Sequence, residues 1–342
     1  MLTALYDAVR RLGDGLASDA GRGASCARGI GASVEHVIDA TYSRLRLVPG
    51  YARRLRAPVV TALRHIDALT ESLQPAIDCG PAAFSDDPRI NAFFVDPTSL
   101  RRLFSDSGDV RRFFASHAGT DACFAALCMH QTERRQLGMG IVNDSLRKDI
   151  MQTTVSFRDH RLLSPGHDEE QARAALKCWL FDALIDHARD TALTARGRHM
   201  DLEARGRALR ARLRRLDKAP AADDADRGDL ERQLCLIEGQ MDGQGPVPAT
   251  PREELTFIAD TLSQAGELLT SRRFSLYLDR FGIKQADGAV DPAFEVPLYE
   301  LSVGERRPHV ISLLRFPRTE LLPERDFLRE VSRFLSGGGN IQ

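Results

Sequence analysis

No apolar run in this sequence approaches the roughly eighteen residues that a membrane-spanning helix needs. Lysine is nearly absent too: of 47 basic residues, only Lys148, Lys177, Lys218 and Lys284 are lysine. The first absence argues against a helical membrane span. The second, with the alanine richness, points to a GC-rich bacterial genome and warns against assigning a function to every arginine cluster. C-x-x-C spacing is missing among Cys26, Cys79, Cys123, Cys128, Cys178 and Cys235. Cys123, Cys128, Cys178 and Cys235 fall on apolar faces, so buried free thiols and a reducing cytoplasm are expected, in keeping with the lack of a signal-like start.

Other absences remove whole chemistries. There is no G-x-x-x-x-G-K-[ST], so the comparison that an inserted helical arm invites with chromosome-type ATPases fails. There is no G-x-G-x-x-G and no G-x-S-x-G, and Gly138-Met139-Gly140 lies inside an expected strand. H-E-x-x-H is missing as well. Neither a metal nor a cofactor is expected. The net charge of −1 over 342 residues supplies no global field toward nucleic acid or an anionic membrane.

What is present is shape. The chain is 43% apolar and 28% charged, ordinary for a globular protein. Its organising stretch is Asp168–Asp217. Acidic residues Asp168, Glu169 and Glu170 open it, where the helix dipole favours negative charge. Small or apolar residues then recur in alternating steps of three and four: Phe181, Ile185, Ala188, Ala192, Ala195, His199, Leu202, Gly206, Leu209, Leu213 and Leu216. That is a heptad seam, and a helix of some fifty residues spans about 75 Å. Lys218–Gly228 reads as a tip. A return seam follows at Leu230, Leu234, Ile237 and Met241, and a third at Leu255, Ile258, Leu262, Ala265 and Leu269. The outward arm is arginine-rich and the return arm aspartate- and glutamate-rich, which suits an antiparallel helical hairpin of coiled-coil type. His199 on the seam suits a register-setting role.

Before this arm the periodicity predicts helices over Met1–Ala20, from Ser33 (as N-cap, with His36 at the capping-box position) and over Tyr51–Leu73, kinked at Pro58. Short helices opened by Asp87-Pro88, Asp96-Pro97 and Asp106–Gly108 carry Phe84, Phe93, Phe94, Leu103, Phe104, Phe113 and Phe114 as a cap on something larger. A three-stranded meander is expected next: Cys123–His130 covered on both faces, a loop at Gln131–Arg134, Arg135–Val142, a turn at Asn143–Ser145, and Ile150–His160. Strands at Phe274–Phe281, Glu295–Val303 and His309–Phe316 follow the hairpin, with a closing helix at Leu322–Leu335. The expected fold is α+β: a helical region at 1–118, a mixed or antiparallel sheet of about six strands in two halves (119–166 and 271–342), and an inserted helical hairpin at 167–270.

Candidate chemistry is sparse. Ser145–Lys148 reads S-x-x-K but lies in an expected turn. Asp159, His160 and His167 gather near a strand end, a fair place for acid–base work, although adjacent strand residues face opposite ways. Asp182, Asp186 and Asp190, beside His187, line one side of the long helix as a conceivable cation row, more simply read as a solvated face. Gln152, Thr154, Ser156, Arg158 and His160 form a polar strand face, with Arg158 and His160 its binding candidates. Arg205, Arg210 and Arg214 are the candidates for nucleic-acid contact. The reading that follows is a cytoplasmic, non-enzymatic interaction protein that meets itself or a protein partner through 168–270. An enzyme or ligand-binding module at Arg158/His160, or a nucleic-acid binder using 196–215, is the alternative.

Overall fold

The computed structural model describes residues 29–142, 145–216, 224–245, 247–285 and 293–323. The expected first helix, the turn at Asn143-Asp144, residues 217–223 of the tip, the loop at 287–292 and most of the closing helix lie outside them. The fold is α+β. Among the described residues there are ten α-helices and a six-stranded sheet, with one long helix inserted between the third and fourth strands. The helices are α1 (Ile30–Ala40), α2 (Tyr51–Glu71), α3 (Ala83–Asp86), α4 (Pro88–Phe93), α5 (Pro97–Ser105), α6 (Gly108–Ser116), α7 (Glu169–Leu216), α8 (Asp224–Asp242), α9 (Pro251–Ser263) and α10 (Ala265–Leu268). The strands are β1 (Ile77–Asp78), β2 (Ala122–Val142), β3 (Ser145–Leu162), β4 (Leu269–Leu278), β5 (Phe294–Val303) and β6 (His309–Pro317). The chain divides into two compact units, one holding Asp67–Trp179 with the chain from Thr270, the other Arg28–Ile66 with Leu180–Leu269. These divisions fall inside α2, α7 and β4.

In the first unit the strand order is β3-β2-β6-β5-β4, with β1 parallel to β6 and the pairs β3–β2, β2–β6 and β6–β5 antiparallel. β2 is a single strand running through Gln131–Arg134, where a loop was expected. Its register with β6 covers only Ala122–Met129, so from residue 131 outward β2 and β3 continue as a two-stranded ribbon. The polarity of Gln-Thr-Glu-Arg-Arg reflects exposure of that ribbon rather than a turn; the run contains no glycine or proline to reverse the chain.

The sheet curls until its edges meet. Asp279 Oδ1 accepts the backbone N–H groups of Phe281 and Ile283 at 2.8 and 2.9 Å, ending β4 at Leu278 rather than Phe281. The chain then doubles back. Val155 N donates to Gly282 O and Lys284 N to Thr153 O, both at 2.8 Å, while Gln285 N donates to Tyr277 O. Ile283-Lys284 therefore bridges the two edge strands, β3 and β4, and removes the unpaired edge they would otherwise present. Gly282 is required there: its φ is +73°, and a Cβ would sit 3.0 Å from Val155 O.

Inside the curl lies the core expected of the aromatic cap. Phe93, Phe94, Leu100, Phe104, Val110, Phe113 and Phe114 from α4–α6 meet Cys123, Ala125, Leu127 and Met129 of β2 and alternate residues of the other strands. Phe104 stacks on Phe316 at 4.2 Å, both fully buried. The caps follow the Asp-Pro signals. Asp87 accepts from Arg89 N, Asp96 forms a capping box with Ser99, and Ser107, within the expected Asp106–Gly108 signal, caps α6.

In the second unit the expected apolar faces of α1, α2 and α9 are buried: Val34, Val37, Ile38, Leu55, Val59, Ala62, Leu255, Ile258 and Leu262. α2 continues through Pro58. Ser33 is not a cap. Helix α1 starts at Ile30, after Gly29 takes φ +93°, and Ser33 is buried in its first turn. The long helix matches expectation closely. Along α7 the seam residues are the covered ones: Phe181, Ile185, Ala188, Ala192, Gly206 and Leu209 are buried, and Ala195, His199, Leu202, Leu213 and Leu216 half-buried. On α8 Leu230 is buried and Leu234, Ile237 and Met241 half-buried. The return chain runs antiparallel to α7: Arg196 Nε donates to Pro248 O at 2.7 Å, and further out a Cβ on Gly206 would lie 3.8 Å from Ile237 Cγ2.

Candidate functional site

The candidates at the end of β3 do not converge. Between Cys128 and His130 the β2–β3 register shifts, and Asp159 takes φ +57°, forming a bulge. An added residue flips everything after it to the other face. His160 therefore leaves the polar face and joins the side of Phe157. Its ring stacks on Phe94 at 5.0 Å, its Nε2 bonds Phe93 O at 2.8 Å, and burial pushes its pKa down. Arg158 and Asp159 stay exposed. His167 sits elsewhere, edge-on to His117 at 4.3 Å and beside Phe113. Alternation alone cannot reveal such a bulge.

The acidic row on α7 is likewise divided. Asp182 pairs with His36 at 2.5 Å, and Arg189 lies 2.8 Å from Asp186 and 3.7 Å from Asp190. Among the described residues no group of three or more His, Cys, Asp or Glu side chains could hold a metal ion. His199 lies on the seam as expected, 3.4 Å from Glu203. Ser145 and Lys148 fall on β3, not on a helical turn.

Two clusters carry no sequence signal, because their members are far apart in the chain. One is Glu254, 1% exposed, which accepts from both Arg44 and Arg196; the two guanidiniums also lie over the Tyr42 ring at 5.2 and 5.7 Å. Burying one carboxylate between two arginines fastens α9, α7 and the turn after α1 at the foot of the hairpin. The other joins His130, His309 and Trp179 on the face of the sheet opposite the aromatic core.

The hairpin itself offers a surface. Of its candidate arginines, Arg205 pairs with Asp201 on its own helix at 2.8 Å, and Arg210 reaches across to Glu238 at 2.8 Å; Arg214 is exposed. Other pairs on the return arm also stay within one helix, Arg227–Glu231 and Arg232–Asp229. Among the described residues, Arg210–Glu238 is thus a charge pair that crosses between the arms. A second stripe runs about a quarter-turn from the seam on α7: Leu193 (48% exposed), Gly197, Met200 (67%), Ala204 and Ala208, all outward. On α8, Leu236 (67% exposed), Gly239 and the exposed Cys235 face out as well. Cys235 was expected to be buried; Cys123, Cys128 and Cys178 are. No helix among the described residues is long and apolar enough to cross a membrane. No family model, curated protein or solved structure matches the chain.

Proposed function

We propose that this chain is an association protein whose α7–α8 hairpin docks a second copy of itself along the outward stripe, in the manner of a coiled coil. The observation that carries the reading is the exposure of Leu193 and Met200 at heptad spacing among small residues on α7, and of Leu236 on α8. Large apolar side chains on a helix also rich in ion pairs are costly to leave in water, at about 25 cal/mol per Å². Small residues between them permit close helix approach. Charge favours a second copy over an arbitrary partner. The basic outward arm and the acidic return arm belong to one chain, so two copies packed α7 against α8 bring opposite signs together.

Light scattering on the full chain and on a Met200→Glu/Leu236→Glu variant tests this. The expected outcome is a dimer or larger for the former and a monomer with unchanged helicity for the latter. A wild-type monomer at the highest workable concentration contradicts it. Salt-sensitive retention of DNA that is weakened by replacing Arg205, Arg210 and Arg214 replaces it with the nucleic-acid reading.

A further inference from the structure

Where β2 and β3 continue outward as a ribbon, strand alternation and their register fix which residues share a face. Val155 and Phe157 join the aromatic core, and Glu133 and Gln131 stand opposite them on that inner face. Thr132, Arg134 and Gln136 of β2, with Thr154 and Ser156 of β3, make the outer face. Arg158, directly opposite His130, belongs to it too. Ile283 pairs with Thr154 and widens this face to a third strand.

Two features of the outer face are not required by folding. First, its charge has one sign. Glu133 is the sole carboxylate at positions 130–138 and 150–158, and it lies on the inner face, 3.0 Å from Lys284. Arg134 and Arg158 are exposed, and neither forms an ion pair or hydrogen bond with a described residue. Arg307, from the turn between β5 and β6, donates to Gln131 O at 3.1 Å and to Thr132 Oγ1 at 2.8 Å, both neutral acceptors. Arg158 stands at the level of His130, Arg307 reaches that of Thr132, and Arg134 lies two residues further out. The three cations thus occupy successive two-residue steps, about 13 Å in all. Composition does not impose this, because the chain has 48 acidic residues against 47 basic ones.

Secondly, a large ring is left in water beside these cations. Phe281 is 77% exposed. Gly282, next in the chain, accepts from Val155 N at 2.8 Å, which keeps residue 281 alongside β3. The turn that closes the sheet edge uses only the backbone N–H of Phe281, bonded to Asp279 Oδ1, so it has no need of an aromatic side chain there.

We propose that this face binds single-stranded nucleic acid. Cations spaced along a strand follow the phosphates of an extended chain, and an exposed ring gives a base a surface to stack on. A single strand can splay its bases onto a sheet, whereas a duplex keeps them stacked inside. With Ile283 alongside, the face is also broader than the two-stranded ribbon that a major groove admits. An acidic peptide would match the arginines but leave Phe281 without a role. The surface uses none of Arg205, Arg210 and Arg214, so it is independent of the hairpin reading, and either stands if the other fails.

Fluorescence anisotropy of a labelled single-stranded oligothymidylate, titrated with full-length protein at a series of salt concentrations, tests this. The expected result is saturable binding that weakens with salt at a log–log slope of about −2, the value for three phosphate contacts on a single strand. Arg134→Ala/Arg158→Ala weakens binding about tenfold or more at low salt, the loss expected for charge-assisted hydrogen bonds. The same variant brings the slope to about −0.7, as one remaining contact requires. Phe281→Ala weakens binding about fivefold or more and leaves the slope unchanged. These positions are exposed, so the variants keep the wild-type melting temperature. Replacing Arg205, Arg210 and Arg214 with alanine leaves binding at the wild-type level. Absence of saturable binding at low salt, or wild-type affinity in the ribbon double variant, overturns the proposal. Competition by a duplex or by polyglutamate as strong as that of the unlabelled oligonucleotide also overturns it, in favour of a duplex or an acidic-peptide surface.

Discussion

The curled sheet and the helical hairpin use the same apolar residues to different ends. The sheet unit seals itself: Ile283-Lys284 joins its edge strands, and Phe104 and Phe316 stack fully buried within. The hairpin covers one line of contacts, mostly alanines and half-buried leucines, and leaves Leu193, Met200 and Leu236 in solvent. One region is stable through depth of burial. The other has so little interior that its stability rests on the anchoring of its foot and, in the proposed reading, on a second copy.

Breaking each region at its strongest point gives the largest effects. Phe104→Ala opens a cavity at the centre of the aromatic core and should cost about 3–5 kcal/mol in denaturant unfolding. A loss under about 1 kcal/mol would mean that the aromatic core does not carry this unit. At the foot of the hairpin Glu254→Ala removes the carboxylate shared by Arg44 and Arg196 and leaves two cations facing each other; the expected loss is about 3 kcal/mol. Urea melts followed by circular dichroism should show that loss in the helical signal.

Acid distinguishes the regions in a second way. Burial, then the neighbouring cations, lower the pKa of His309 from 6.5 to about 4, and burial lowers that of His160. In that window the unfolded chain binds protons that the folded chain refuses. Stability is therefore fully present above about pH 6.5 and falls progressively toward pH 4. The His309 share is about 2 kcal/mol, less than the full shift implies because the half-buried ring is partly screened. A His309→Asn variant should lose part of this acid sensitivity in melts between these two limits; an unchanged slope would remove the cluster from the explanation.

The smallest effect belongs to the cross-arm ion pair. Arg210 and Glu238 are both about half exposed, so Arg210→Ala should change stability by less than about 0.5 kcal/mol. A double-mutant cycle giving more than about 1 kcal/mol would show that the charged flanks, not the apolar seam, hold the arms together.

Much of this fold is legible in the sequence. The seam predicts a long helix over Asp168–Asp217 and the helix runs from Glu169 to Leu216, because a seam of eleven positions in alternating steps of three and four has one geometric solution. Asp-Pro pairs marked α4 and α5 since proline suits a helix's first position. What was hidden has physical reasons. Gln131–Arg134 read as a loop because polarity cannot separate a turn from an exposed ribbon. Alternation puts His160 on the wrong face because a bulge changes the period without a residue signature. Glu254, Arg44 and Arg196, or His130 and His309, meet only once the chain has folded. The sites were therefore far less legible than the elements that carry them.

Cys235 allows the most direct test of the hairpin reading, since this exposed thiol lies beside Leu236 on the outward stripe. In a Cys26→Ser background its rate of modification by a thiol reagent can be followed as protein concentration rises. The account predicts that the rate falls with concentration as a second copy covers the stripe, and that Met200→Glu restores the dilute-solution rate. A rate independent of concentration in both proteins would contradict it.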